Sequence, residues 1–332
     1  MAVVVDNVSY ILESNTTFPI IYSVKAPAAQ TGYQYAKVYS SNDSMLIEPF
    51  TRQPVTENTP HEFFNRSWNI HDNVQLPQIY SMLSSVNRIS SDLHKDNQIP
   101  TIHIIGNQTE LDEMNTNSTA DITVQTNLSY ISLFDAIRFE DVEISLSGRS
   151  SRWMPKLSYK LKLKNGDSLY GYRYLRLRAL ATDPSYVREQ VAFNMVRSVG
   201  LISSEFSYVR VFMNDQELGL FGILDTFKNP WLANIFDQGN TTYENGYLYQ
   251  AVYLTPNSAA QNVMSDLSYM SNHTLYELGQ YNIEEEATHG DKVNWTALID
   301  FTRFIANAPT VDSSETIHAW NQQLDVESFL RS

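Results

Sequence analysis

Hydrophobic and polar positions alternate with period two along Tyr33-Gln34-Tyr35-Ala36-Lys37-Val38-Tyr39 and along Val142-Glu143-Ile144-Ser145-Leu146-Ser147-Gly148. Each run predicts a strand with one buried face. Tyr159-Lys160-Leu161-Lys162-Leu163 alternates in the same way. Asn165-Gly166 follows as a type I′ turn signal, and Tyr170 to Leu177 reads as the returning strand. Thr182-Asp183-Pro184 then predicts a helix start, with a polar cap and proline in the first turn. Val187, Val191, Met195 and Val199 recur at helical spacing, and Gly200 is placed to end the helix. A second hairpin is expected from Tyr208 to Met213 and Leu218 to Phe227, around Asn214-Asp215. The order strand, hairpin, helix, hairpin predicts an α+β unit on a mostly antiparallel sheet.

The flanks are less regular. Residues 1–75 read as short strands between polar turns, among them Phe18 to Val24, and predict a small β-sandwich-like module. Residues 76–98 read as a polar connector with one short helix. Ile99 to Gly106 reads as a strand, and 107–128 as an exposed polar loop. After residue 230 helices and loops are expected to dominate, including Trp295 to Ala306 and a last helix from Asp325.

With 332 residues, 42% hydrophobic and 18% charged, the chain can bury a core and is neither disordered nor fibrous. Its net charge of -14 argues against a general nucleic-acid or anionic-membrane binder. No apolar run is long enough to span a bilayer. The absence of cysteine excludes disulfides, thiolate zinc and a cysteine nucleophile. Ten Asn-X-Ser/Thr sequons begin at Asn7, Asn15, Asn42, Asn65, Asn107, Asn117, Asn127, Asn240, Asn272 and Asn294. That is about twice what chance placement gives, and it points to the secretory pathway. Met1 to Asn7 has no basic n-region or full apolar h-region, so either the true N-terminus is missing or the secretory reading is wrong.

Charge is unevenly distributed. Residues 149–188 hold ten Lys and Arg against Asp167 and Asp183, a net of +8, which leaves -22 for the rest. Lys160 and Lys162 are expected to approach Arg176 and Arg178 across one hairpin face, where like charges repel. Either acidic partners elsewhere in the fold or a bound polyanion such as a nucleotide phosphate must offset that repulsion. The turn Gly148-Arg149-Ser150-Ser151 precedes Pro155-Lys156-Leu157-Ser158-Tyr159-Lys160, so exposed backbone N–H groups and lysines are available for phosphate oxygens. Arg188-Glu189 lies on the following helix, and a helix glutamate can hold a strand lysine toward a phosphate.

Taken together, these segments resemble the CotH family, the spore-coat protein H type of atypical kinase. The resemblance rests on Leu146 to Ser151 with Pro155 to Tyr159, on Leu175-Arg176-Leu177-Arg178 with Asp183 to Glu189, and on Ser207 to Asn214 with Leu218-Gly219-Leu220-Phe221-Gly222. It is most specific over residues 99–228. The segment in front, with Phe63-Phe64-Asn65-Arg66, resembles the secreted CotH proteins of mucoralean fungi, some of them implicated as ligands of host receptors.

The resemblance implies a β-module followed by a kinase-like N-lobe over 99–230 and the start of a helical C-lobe over 231–332. It implies ATP and Mg²⁺ as cofactors and a secreted or coat protein as phosphoryl acceptor. Gly148, Ser150 and Ser151 would form the phosphate-side loop, Lys156 or Lys160 the phosphate lysine, and Glu189 its helix partner beside Arg188. Asp225 would sit at the hinge facing the adenine. The family's catalytic and metal-holding aspartates come after the segment that Leu324 to Arg331 resembles. The chain as printed is therefore expected to be an inactive fragment, with no catalytic or metal residue of its own. The contrasting expectation is a non-catalytic surface adhesin or structural coat protein on the same fold.

Overall fold

The computed structural model describes residues 1–39, 44–73, 75–309 and 313–331. The alternation read from the sequence becomes inside and outside. Strands β1 (Ala2–Val5), β2 (Val8–Ile11), β5 (Tyr33–Tyr39) and β6 (Ser44–Ile47) form one antiparallel sheet in the order β2-β1-β5-β6. A two-residue ribbon, β3 (Glu13–Ser14) with β4 (Tyr22–Ser23), stands apart. The expected β-sandwich is thus corrected to a single sheet. Most of Phe18 to Val24 is not strand, and among the described residues the segment has one four-stranded sheet and a two-residue ribbon, with Val8, Ile11 and Leu46 exposed. A small apolar cluster, Val3, Val5 and Tyr33, is buried on one face of the sheet, and a polar cluster is buried beside it. Arg52 pairs with Glu48 at 2.7 Å and Glu62 at 3.0 Å, and all three side chains are almost inaccessible.

The main body is a closed seven-stranded barrel. Its strands are β7 (Thr101–Gly106), β8 (Thr123–Ile131), β9 (Ala136–Ser147), β10 (Ser158–Lys162), β11 (Tyr174–Arg178), β12 (Phe206–Met213) and β13 (Gln216–Asp225). Around the barrel they run β10-β11-β13-β12-β7-β8-β9. Every pairing is antiparallel except β7 with β12, which is parallel and closes the ring. Inward positions are apolar: Ile102, Ile104, Ile144, Leu161, Leu175, Leu177, Val209, Val211 and Ile223 are all buried in one core. Closing the sheet removes edges and leaves each strand a filled interior and a solvated exterior. The α+β class therefore holds, with a barrel at its centre.

Three expectations need correction. Residues 107–128 are not a loop: Asn107 caps helix α1 (Gln108–Thr116) by accepting from the Thr109 and Glu110 amides, and β8 follows. The helix after Asp183 starts later than its proline suggested, as α2 (Arg188–Ser198). Asp183 instead folds a turn before it, accepting from the Ser185 amide at 3.0 Å and the Arg188 amide at 2.8 Å. The Asn165-Gly166 turn is not type I′, since only Gly166 takes a positive φ, and the partner strand begins at Tyr174. Gly200 does end α2, at φ +73.

Residues 86–94 run beneath the barrel. The Asn87 and Ile89 amides donate to Ile235 and Asn234 carbonyls on α3 (Trp231–Phe236), and Leu93 enters the core. Ile89 fits against Gly171 and Gly239, where a Cβ would lie 2.8 and 2.7 Å from its Cδ1. Beyond α3 come β14 (Leu248–Ala251), α4 (Pro256–Ala260), β15 (Tyr281–Glu285), α5 (Thr296–Ala306), α6 (Ser314–Gln323) and α7 (Val326–Arg331). The expected helices near Trp295 and Asp325 are present. Among the described residues no helix is long and apolar enough to cross a membrane.

Because Ile223 is fully buried at the barrel's centre, Ile223→Ala should cost about 2–5 kcal/mol in urea unfolding. A loss below about 1 kcal/mol would mean the barrel is not packed as described.

Candidate functional site

The site is built on the outer face of β10 and β11. Their register sets Lys160 opposite Arg176 and Lys162 opposite Tyr174. Leu161 and Leu175 point inward, so the intervening cations are turned outward by the strand period. Two cations on one rung repel. Their surroundings show how most of the local charge is balanced.

Five of the ten cations in 149–188 have a carboxylate partner. Arg152 meets Asp121 at 2.7 Å, Lys162 meets Glu143 at 2.9 Å, and Lys164 meets Asp141 at 2.8 Å. Arg178 meets Glu189 at 2.6 Å, and Arg188 lies 3.6 Å from Asp183. Two more are held by carbonyls and rings. Arg173 donates to the Leu163 carbonyl and lies over Tyr174. The Lys156 amine donates to the Leu220 carbonyl and sits 4.2 Å above Phe221 and 5.2 Å above Tyr186. Neutralisation by acidic neighbours thus accounts for half the strip. Among the described residues Arg149, Lys160 and Arg176 have no carboxylate within ion-pair distance.

Arg176 is the most exposed to that imbalance. Its Nε is buried and has no hydrogen-bond partner. Burial first, and the Arg178 charge next, weaken its hold on its proton, with only the more distant Glu189 and Glu284 opposing. Lys160 is displaced downward too, by burial and then by Arg176 and Arg152. Leaving a charged donor unpaired costs about 1–3 kcal/mol or more. An anion bridging Lys160 and Arg176 would remove that cost.

The remaining candidate residues distribute around this pair. Gly148, Ser150 and Ser151 form an exposed turn at the end of β9, continuing into a short 3₁₀ segment at Ser150–Trp153. Gly148 has φ +89, and a Cβ there would fall 1.9 Å from the Ser151 hydroxyl, so only glycine lets the serine fold back. Arg152 ties the turn down through Asp121 and the Leu146 carbonyl. This turn is on the Lys160 side, since Ser147 pairs with Ser158, two residues before Lys160. Glu189 reaches the face from α2 but holds Arg178, on the strand that precedes the helix, with 2.6 and 3.0 Å bonds. Lys156 is turned away against Phe221. Arg188 is largely exposed beyond the helix start. Asp225 is fully buried and takes the Trp231 Nε1–H and the Glu205 amide, each at 2.7 Å, with His94 Nε2 3.3 Å away and poorly aligned. Residues missing from the expected site are Arg176, Arg178 and Lys228. The alternation at Leu175 to Arg178 marked the first two as outward, but not their partners.

Lys228 lies 3.4 Å from Glu284 of β15. The two border an open cavity of about 470 Å³ also lined by Glu277, Tyr281, Glu286 and Trp295. The charge of Lys228 reaches Lys160, and that of Glu284 reaches Arg176. The donors fit a polyphosphate: a cation pair, a small-residue turn and a carboxylate-oriented arginine. Among the described residues no group of three or more acidic or histidine side chains is arranged to hold a metal ion.

Of the sequon asparagines, Asn42 lies outside the described residues. Asn7, Asn15, Asn65, Asn107, Asn117, Asn240 and Asn272 are exposed, and Asn127 and Asn294 are half-buried. None falls between Leu128 and Gly239, the stretch that carries the cationic face.

Comparison with known proteins places residues 144–331, more than half of the chain, within the CotH kinase protein family. The chain is 28% identical over 223 residues to Spore coat protein homolog 1 of Rhizopus delemar, covering 66% of this chain and 36% of that protein. It is 26% identical over 289 residues to Invasin CotH7 of the same fungus, covering 86% of this chain and 45% of that protein. Invasin CotH3 is 25% identical over 174 residues, 52% of this chain and 29% of its own length. The chain spans less than half the length of each of these relatives.

The lowered proton affinity of Lys160 has a measurable consequence. The native chain holds fewer protons than the unfolded chain between the lowered value and the ordinary lysine value, so this group makes stability rise with pH there. At pH 8, amine acylation followed by peptide mapping should modify Lys160 ahead of the exposed Lys25. Equal labelling would mean that Arg176 and burial do not act on Lys160.

Proposed function

The chain belongs to the CotH kinase protein family, and on that basis we propose that it is a coat or surface protein whose barrel face binds the phosphates of ATP. The relatives' names, spore coat protein and invasin, support the coat or surface placement. The seven exposed sequons support a route through the secretory pathway, with glycans on those asparagines. The complete protein would transfer the γ-phosphoryl group to Ser or Thr of a secreted or coat protein.

One observation carries the nucleotide reading. Lys160 and Arg176 face each other on one rung with no carboxylate at ion-pair distance, and the buried Arg176 Nε has no partner. In this reading the pair takes phosphate oxygens and the Gly148–Ser151 turn presents backbone N–H groups from above. Glu189 keeps Arg178 extended along the face, the part that a strand lysine and helix glutamate play in protein kinases. Lys156 serves the turn's far side by packing rather than by touching phosphate. Asp225 acts as a positioning residue that joins β13 to α3 and to His94.

ATP added to the full chain at about 100 times its Kd should stabilise it by roughly 2.7 kcal/mol. Lys160→Ala and Arg176→Ala should each weaken binding about tenfold or more, the scale of one charge-assisted bond. ATP should also slow acylation of Lys160, because a bound anion restores its proton affinity. A thermal shift that is absent, or the same in both variants, would sink the reading.

A second reading, a non-catalytic ligand for a protein receptor, is favoured by α2. Val187, just before the helix, and Val191 and Met195 on it line one exposed stripe, 46%, 46% and 57% accessible. An apolar stripe of this kind on a surface helix marks a contact face. Val191→Asp with Met195→Asp should then abolish cell-surface binding while leaving the ATP-induced shift intact. Unchanged cell binding would count against the receptor reading.

A further inference from the structure

A second, poorly compensated cation pair lies away from the barrel face, where the N-terminal segment meets β12. Arg210 projects from β12 and stacks on the half-buried Phe63 ring, 3.5 Å from its centroid. Arg66 flanks the same ring at 5.7 Å and lies 5.0 Å over Trp68. The two buried carboxylates of the N-terminal segment are already committed. Glu48 takes Arg52 and the amides of Tyr35 and Asn65, and Glu62 takes Arg52, Asn69 and the hydroxyls of Tyr33 and Tyr35. Among the described residues Arg66 has no carboxylate within ion-pair distance. Arg210 has only Glu217, at 3.6 Å and more than half exposed. Arg66 Nε and Arg210 Nη1 are both buried with no hydrogen-bond partner. Burial first, then the charges of Arg210 and Arg52, push the Arg66 guanidinium down to about 10.

Stacking alone does not explain this arrangement. One guanidinium on Phe63 gives a cation–π contact worth about 0.5–2 kcal/mol. A second one beside it adds repulsion and a further desolvated, unpaired donor, whose cost is of the same size or larger. In a chain of net charge -14 an acidic neighbour is easily supplied, and here none has been placed beside Arg66. An oxyanion between two guanidinium forks satisfies both. Trp68 adds a partly exposed ring, 39% accessible, at the edge of the pair. A ring next to a fork suits a ligand with a flat apolar face and an acid group.

We propose that Arg66 and Arg210, with Phe63 and Trp68, form an anion site for an acidic saccharide, one bearing a carboxylate or sulfate group. The site is independent of the nucleotide reading: it shares no residue with the Lys160 and Arg176 face.

Titration of the full chain with glucuronate and with a sulfated disaccharide, read by tryptophan fluorescence, tests it. A saturable change is expected with both, none with glucose, and Trp68→Phe should remove the signal. Arg66→Met and Arg210→Met should each weaken binding about tenfold. Without ligand Arg66→Met should leave the melting temperature unchanged or raise it, since it removes a charge with no carboxylate partner. The response should persist in Lys160→Ala with Arg176→Ala. The proposal is overturned if neither anionic sugar gives a saturable change, if an acidic hexapeptide binds and the sugars do not, or if Arg66→Met lowers the melting temperature and the methionine variants leave sugar binding unchanged.

Discussion

A sheet that closes on itself has one inside and one outside, and every side chain on its strands must take one of them. In this chain the parallel pairing of β7 with β12 completes the ring. Once it is complete, Leu161, Leu175, Leu177 and Ile223 are committed to the core, and Lys160, Arg176 and Arg178 to the surface. A slip of one residue in β10 or β11 would bury lysine and arginine, at a cost the fold could not offset. The positions of the cations are therefore fixed by the packing of their apolar neighbours. Repulsion between two outward cations is small beside the cost of burying them, which is why Lys160 and Arg176 can share a rung.

That geometry sorts the basic strip into two populations. Cations at the barrel's margins find carboxylates on adjoining elements: Asp141 and Glu143 on β9, Asp121 before β8, Glu189 on α2. The central pair does not. Arg66 and Arg210 repeat the situation at the other junction of the fold. In both places a partly desolvated guanidinium keeps an unpaired donor, which is costly for folding and useful for binding. The residues that the fold satisfies completely, such as Asp225 with Trp231 and Glu205, read as joints between elements.

Legibility followed the range of the forces involved. Period-two alternation over Tyr159 to Leu163 and Leu175 to Arg178 is local, and the strands and their facing were read from it. So was the helix stop at Gly200, because the positive φ belongs to that residue alone. The start of α2 was misplaced because Asp183 and Pro184 are good cap residues that here shape a turn four residues early. The helix at Gln108 to Thr116 was hidden by its polar composition: only Leu111 and Met114 face the core. The N-terminal segment reads as a β-sandwich-like module, but beside the small apolar cluster of Val3, Val5 and Tyr33 its structure buries Glu48, Arg52 and Glu62, which no apolar pattern announces.

From its own order of residues the chain determined its strands, the outward cationic strip, the Gly148 turn and the CotH motifs, since each depends on neighbours a few positions away. Tertiary structure decided the partners. Glu189 reached Arg178 rather than a lysine, Lys156 was drawn under Phe221 and Tyr186, and Asp225 was buried against His94. Among the described residues it also left Lys160 and Arg176 without a carboxylate at ion-pair distance, and Arg66 beside an Arg210 that has only the exposed Glu217. Those outcomes depend on which elements lie side by side across tens of residues, and Coulomb and desolvation energies act on that proximity, whatever the separation along the chain.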